Sequence, residues 1–394
     1  MDFLIDNLKF FAEINDAGAW IGWKYLVMYA VGIILIYLAI KKDYEPALLL
    51  PMGFGAILVN LPFSGAIDQT LMMGGVPELV HGPIAWLYST GIEAAEILPL
   101  LLFIGIGAMI DFGPLLSRPY YFFFGAAAHF GIFAAITVSV LLGFKMNDAA
   151  AIGIIGAADG PTTILVANML KSNYVGPILV TAFSYMALVP IIQPSVIRLL
   201  TTRKERMIRM APVADKEVPK GVKIIFPIIV TVIVGIISPA AVSLIGFLMF
   251  GNLIRECTVL DSLSETAQKT LANLITLLLG ITVAFTLQAD KFIQKETLMI
   301  LGLGLIAFIL NTAGGVLFGK FLNIFLKTKI NPMIGATGIS AFPMSARVIQ
   351  KMALKEDPEN YLLMHAVSAN VSGQVASVAA SGLVLSLIIP YLVG

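Results

Sequence analysis

The chain has 394 residues, of which 58% are hydrophobic and only 12% charged, with a formal net charge of +1. A soluble domain carries about 25% charged residues, so this composition, with a mean hydropathy of +0.92, excludes an ordinary soluble globule and points to an all-α polytopic membrane protein. The small net charge excludes an electrostatic nucleic-acid binder, and the single cysteine, Cys257, excludes an internal disulfide or a thiolate metal cluster.

Residues 1–20 are mixed and acidic (Asp2, Asp6, Glu13, Asp16) and read as an amphipathic lead-in rather than a cleavable signal. A crossing helix needs about 20 apolar residues. Residues 21–40 supply them, and 46–61 form a shorter, glycine-containing second crossing. Residues 60–96 read as a long surface connection. Further spans follow at 97–110, 121–144 and 175–200, closing a first membrane repeat over 21–200. A basic linker, 201–222, carries Arg203, Lys204, Arg206, Arg209, Lys216 and Lys220. A second repeat, 223–394, resumes with spans at 224–237 and 239–253, a polar loop at 255–269, and spans at 271–287, 298–325 and 361–393. The total is about ten crossings.

Two small-residue stretches interrupt this pattern, AAIGIIGAADGPTTILVANMLK at 150–171 and NPMIGATGISAFPMSARVIQ at 331–350. They align without gaps: Gly153 falls on Gly335, Gly156 on Gly338 and Pro161 on Pro343. PALLLPMGFGAIL at 46–58 also sits over PAAVSLIGFLMFG at 239–251, and Gly105 over Gly280. The order is the same in both halves. Each half-stretch around its proline is about ten residues, too short to cross alone at 1.5 Å per residue. Each is therefore read as a broken, re-entrant helical hairpin. Five crossings per half invert the second half relative to the first. That is an inverted-repeat transporter plan, with its site near the midplane where the broken helices meet. The Lys and Arg residues of short loops place the basic linker in the cytoplasm and both termini outside.

Asp159 is the leading candidate. A carboxylate within a bilayer is costly and usually pairs, titrates or binds a cation. Gly160-Pro161 breaks the helix and frees upstream carbonyls, and Thr162 and Thr163 add hydroxyl oxygens of the kind Na+ takes. Asp159 also suits the N-cap of the half-helix that Pro161 opens; the two roles are compatible. The second hairpin has no acid but offers Asn331, Ser340, Ser345 and Arg347. The Arg347 guanidinium suits bidentate carboxylate recognition, or it snorkels to the interface. Tyr185 reads equally as a proton donor or a packing residue. Asn370, Gly373, Ser377 and Ser381 share one helical face, fit for close packing or for ion binding. The chain carries no phosphate-binding P-loop, no HExxH and no Cys/His cluster.

GAADGPTTIL, SYMALVPIIQP, NPMIGATGISAFPMSARV and HAVSANVSGQVASVAASG together resemble the β subunit of the sodium-pumping biotin-dependent decarboxylases, over nearly the whole chain. That family includes the oxaloacetate, methylmalonyl-CoA, malonate and glutaconyl-CoA systems. The resemblance implies a subunit that decarboxylates carboxybiotin, consumes a proton and drives Na+ out of a bacterial cell across the cytoplasmic (inner) membrane. Biotin would arrive on a carrier subunit; no Met-Lys-Met attachment motif occurs in this chain. The implied partners are the biotin carrier, a carboxyltransferase and a small membrane-anchored γ subunit. A homo-oligomer is also implied, a trimer being one form. The family's ion-site aspartate falls on Asp159, its functional tyrosine on Tyr185, its second-hairpin residues on Asn331, Gly335, Ser340 and Arg347, and its late asparagine on Asn370. On this reading Asp159, Asn331, Asn370, Thr162 and Ser340 serve Na+. Arg347, with Ser340 and Gly335, holds carboxybiotin, and Tyr185 helps to deliver the proton. Architecture alone leaves open a Na+/organic-anion symporter or a Na+/H+ antiporter without catalysis.

Overall fold

Apolar runs with few breaks become long helices. In the computed structural model, which describes residues 22–43, 45–73, 76–94, 96–211 and 218–393, the chain is mostly helical. The amphipathic segment expected at 1–20, and Lys216 of the linker, lie outside the described residues. The helices used below are α1 (Trp23–Lys42), α2 (Pro46–Val59), α3 (Pro83–Tyr88), α4 (Ile97–Met109), α5 (Phe122–Ala128), α6 (Phe130–Leu141), α7 (Met146–Ile154), α8 (Gly160–Met169) and α9 (Val175–Leu200). They continue with α10 (Lys220–Ile237), α11 (Val242–Cys257), α12 (Ala272–Val283), α13 (Lys295–Phe325), α14 (Met344–Glu356) and α15 (Leu363–Val393).

Among the described residues, seven helices are long and apolar enough to cross a bilayer, or up to nine if each of two bent pairs counts as one span. One bent pair is Pro83–Ala94 with α4, at 70°; the other is α9 itself, bent by 68° between Met186 and Leu188. Two shorter apolar helices remain, Pro46–Val59 and Met146–Ala157; the longer, α2, rises only about 21 Å at 1.5 Å per residue, less than a hydrocarbon core of about 30 Å. α10 shows what faces lipid. Pro227 is its only buried residue, while Ile225, Ile228, Ile229, Val232, Ile233 and Ile236 are exposed. An apolar face this extensive belongs in a bilayer.

Two expectations are corrected. The connection at 60–96 is structured, holding α3 and an antiparallel hairpin of β1 (Gln69–Met73) and β2 (Val76–Val80) in register Gln69↔Val80 to Met73↔Val76. The chain is therefore not all-α. The polar loop at 255–269 is largely helical, because α11 runs to Cys257 and an apolar span of 27 residues begins at Asp261. The span expected at 121–144 is present as Pro119–Leu141, interrupted at His129, whose ring Nδ1 bonds to the Gly125 carbonyl at 2.7 Å.

The chain forms two compact units. In the unit containing α1 and α2, the two helices approach through glycines: a Cβ on Gly53 would lie 2.7 Å from the Gly32 carbonyl oxygen. α2 meets α12 in the same way, where a Cβ on Gly280 would lie 2.7 Å from the Pro51 ring. Small residues let backbones close on each other where lipid supplies no hydrophobic drive. Asn60 ties the end of α2, donating to the Ala56 and Leu287 carbonyls at 2.8 Å each and accepting from the Ala289 N–H at 2.8 Å.

The other unit holds both broken elements, and each folds back on itself. At the base of the first, Asn147 Nδ2 donates to the Leu170 and Lys171 carbonyls at 3.3 Å. The buried Asp148 accepts from Ser172 Oγ and the Asn173 N–H at 2.8 Å and from Asn173 Nδ2 at 3.1 Å. The ends of α7 and α8 are thus stapled together. The second is a 3-10 turn, Pro332–Thr337, then irregular chain to Pro343, then α14. Asn331 at its start and Asn360 after its end both donate to the Arg206 carbonyl, at 2.8 and 3.1 Å.

The aligned glycines have matching surroundings. Gly153 packs on α6, its notional Cβ 2.9 Å from the Ile132 oxygen, and Gly335 packs on the backbone of Gly315 in α13. Gly156 reaches α13, 2.8 Å from Ala307 Cβ, while Gly338 reaches α5, 2.9 Å from Ala128 Cβ. Each hairpin therefore lies against a long helix of its own half and touches one of the other half at its tip.

Candidate functional site

The first hairpin breaks where Ala158 adopts a left-handed conformation, φ +53°. An L-residue there costs about 1–2 kcal/mol and is held only when the surroundings dictate it. Asp159 follows in extended conformation and caps α8, its Oδ1 accepting from the Thr162 N–H at 3.2 Å. Its own carbonyl accepts from the Thr163 hydroxyl at 2.7 Å. The carboxylate is buried. Oδ2 accepts from Ser377 Oγ on α15 at 3.0 Å, and the Ser340 and Thr162 side chains also face this carboxylate. The N-cap role and the buried-charge role coexist in one residue.

The two hairpin tips meet at this point. The Ser340 N–H donates to the Ala157 carbonyl at 3.0 Å. α15 fastens the second tip from behind. Ser340 Oγ donates to the Gly373 carbonyl at 3.1 Å, Gln374 donates to the Ser340 carbonyl, and Asn370 Nδ2 donates to the Thr337 and Ile339 carbonyls at 3.1 and 2.7 Å. From α9, Gln193 donates to the Ala336 carbonyl at 2.8 Å and accepts from Ser345 Oγ at 2.9 Å, so one amide bridges both legs of the hairpin.

The other expected residues make contacts of their own. Tyr185 donates to the Leu301 carbonyl at 2.5 Å; it flanks Gly304 together with Ile155, from the turn before Ala158. Gly335 serves close packing against Gly315. Asn331 stands at the base of its hairpin, where Nδ2 donates to the Arg206 and Ile208 carbonyls and Oδ1 accepts from the Met333 N–H at 3.1 Å. Its polar atoms are thus engaged by the linker and its own turn. Arg347 is exposed on α14 and forms no ion pair among the described residues.

Around Asn331 the linker is strapped to the second hairpin. Arg206 Nε donates to Glu356 at 2.9 Å, and Arg209 is bidentate on Asp357 at 2.6 and 2.9 Å while reaching Glu359 at 2.6 Å. The hydrogen bonds from Arg209 hold the Asp357 carboxyl below its ordinary range. The Ala211 carbonyl can only accept, so His365 Nε2 carries the proton in the 2.9 Å contact between them. In the neutral ring Nδ1 then accepts from Tyr121 Oη at 2.6 Å.

A family profile described as the Na+-transporting oxaloacetate decarboxylase beta subunit matches residues 24–388. The chain belongs to this family. Among its relatives are the methylmalonyl-CoA decarboxylase subunit beta of Propionigenium modestum, 47% identical over 92% of this chain and 94% of that protein, and the glutaconyl-CoA decarboxylase subunit beta of Acidaminococcus fermentans, 45% identical over 95% and 96%. The probable oxaloacetate decarboxylase beta chain of Vibrio cholerae is 41% identical over 96% and 98%. Membership makes the chain a decarboxylase β subunit, and its apolar helices make it a multi-pass membrane protein.

For a Na+-transporting β subunit, the donor set at Asp159 has the right chemistry. Thr162 Oγ1 and Asn370 Oδ1 are buried oxygens without a hydrogen-bond partner. With the Asp159 carboxylate and the Ser340 and Ser377 hydroxyls, the side chains offer only oxygen to a hard cation. Ser377, Gln374, Gln193 and Asp148 were not singled out as site residues from the sequence. The one available signal was the shared face of Asn370, Gly373, Ser377 and Ser381, which fits packing equally well.

Proposed function

We propose that this chain decarboxylates carboxybiotin brought by a partner subunit, consumes a proton in doing so, and uses the reaction to export Na+ by alternating access. The observation that carries the reading is the buried Asp159 carboxylate at the meeting of the two hairpin tips, beside the unpartnered oxygens of Thr162 and Asn370. In carboxybiotin the bond between the ureido nitrogen and the carboxylate carbon breaks. Its electron pair returns to nitrogen, which takes a proton, and CO2 leaves. Asp159, Thr162, Ser340 and Asn370 hold Na+, with Ser377 orienting the carboxylate. Arg347 receives the carboxylate of carboxybiotin from the aqueous side, Tyr185 serves proton delivery at the flank of the first break, and Asn331 and Gly335 position the second hairpin.

The matched contacts of Gly153 with Gly335 and of Gly156 with Gly338 support an inverted repeat. The repeats are 21–200 and 223–394, with about ten crossings, a cytoplasmic linker at 201–222 and both termini outside. The chain works in a bacterial cytoplasmic membrane beside a biotin carrier, a carboxyltransferase and a small γ subunit, as a homo-oligomer. The test is CO2 release from free carboxybiotin by the purified chain in sealed vesicles. Release stimulated by Na+ and accompanied by Na+ movement is expected. Na+ movement coupled to an organic anion, with no CO2 released, would replace this reading with a symporter.

A further inference from the structure

α14 is unlike the other long helices. Its buried side is ordinary: Ser345, Ala346, Val348, Ile349, Met352 and Ala353 pack inward. Its exposed side carries Arg347, Lys351 and Lys355, with Leu354 the only large apolar residue among them. Positions i, i+4 and i+8 fall on one stripe of a helix, and the three cations span about 12 Å along the axis. The one acid on this helix, Glu356, is taken by Arg203 and Arg206, at 3.5 and 2.9 Å. Arg347, Lys351 and Lys355 form no ion pair among the described residues. The stripe therefore projects positive charge that the described residues do not neutralise.

A lipid-facing helix of this protein looks like α10, with isoleucine and valine over its whole exposed side. α14 lacks that face, so its exposed side belongs to water. It starts at the break of the second hairpin, beside Ser345, which bonds to Gln193, and runs outward to the strapped linker at Glu356 and Asp357. A partner lying along the stripe would have its edge at Arg347.

We propose that the Arg347–Lys351–Lys355 stripe is the docking surface for an acidic face of the carrier domain that delivers carboxybiotin. This rests on the function proposed above and adds how the substrate is presented. Lys351 and Lys355 steer and orient the carrier by charge complementarity, which acts on association and its salt dependence more than on the chemical step. They take no part in decarboxylation.

The test is the K351E/K355E double variant of the full chain in vesicles, assayed with two substrates. With carboxybiotin borne on the purified carrier, the KM is expected to rise about tenfold, with a flatter dependence on ionic strength. With free carboxybiotin, kcat and its Na+ stimulation are expected to match the wild type. An unchanged KM and salt dependence for the carrier-borne substrate would overturn the docking proposal while leaving the decarboxylase reading intact. Loss of activity toward free carboxybiotin as well would overturn the assignment of these lysines to docking. A defect that follows the anionic-lipid content of the vesicles, in place of the carrier, would reassign the stripe to the membrane surface. Wild-type inactivity toward free carboxybiotin would instead count against the proposed function itself.

Discussion

At the scale of single residues, Asp159 combines two demands. It caps α8 through the Thr162 N–H and presents a buried carboxylate steadied by Ser377. A hydrogen bond to a charged group contributes about 1.5–3 kcal/mol, so Ser377 matters although it need not touch the cation. Ser377→Ala is expected to raise the Na+ concentration for half-maximal decarboxylation by about tenfold, the lower end of that range, with little change in the maximal rate. A Na+ titration of CO2 release checks this, and an unchanged half-saturation would remove Ser377 from the site. Asp159 was legible in the sequence because a carboxylate in an apolar, Gly-Pro-broken stretch is too costly to bury for packing alone. Ser377 could be read only as one of four residues on a face fit for packing or for ion binding; its bond to Asp159 could not be, because the two residues are 218 positions apart. Asn331 was expected beside the cation. Its Asn-Pro start looked like a ligand at a break, whereas its carboxamide is spent on linker carbonyls that no local pattern announces.

At the scale of elements, the hairpins are closed at their bases by different chemistry. The first uses the neutral donors of Ser172 and Asn173 on Asp148. The second uses ion pairs from the linker, chiefly Arg209 on Asp357. Arg209 depresses the Asp357 pKa below the ordinary 3.8. A depressed carboxylate contributes stability that is complete above its unfolded value and is lost as pH falls through its native one. The strap should therefore be fully formed at neutral pH and loosen in strong acid. Amide-exchange protection of residues 203–211 is expected to hold at neutral pH and to drop in acid below the ordinary carboxylate range, earlier than protection of α7 and α8. Equal loss in both hairpin regions would contradict a distinct ionic strap. The two breaks could be read from the chain because half-helices of about ten residues beside Pro161 and Pro343 cannot span a bilayer alone. The β1–β2 hairpin could not, because QTLMM and VPELV lack a clear alternating pattern and one contains proline.

At the scale of the whole molecule, the sequence repeat reappears as a repeat of contacts. Gly153 and Gly335 bind their own half, and Gly156 and Gly338 bind the opposite one. The two hairpins share a tip contact, the backbone bond from Ser340 to Ala157, through which, on the proposed reading, occupancy of the Asp159 site would act on both hairpins. On the proposed mechanism, decarboxylation and Na+ binding would favour the same conformational state, as coupling by alternating access requires. The most direct test compares wild type with Asp159→Asn in sealed vesicles, following radioactive sodium and CO2 together after addition of free carboxybiotin. Na+ transport coupled to CO2 release is expected in the wild type, and loss of both Na+ transport and Na+ stimulation in a correctly folded variant. Undiminished Na+ transport by Asp159→Asn would contradict the role assigned to Asp159.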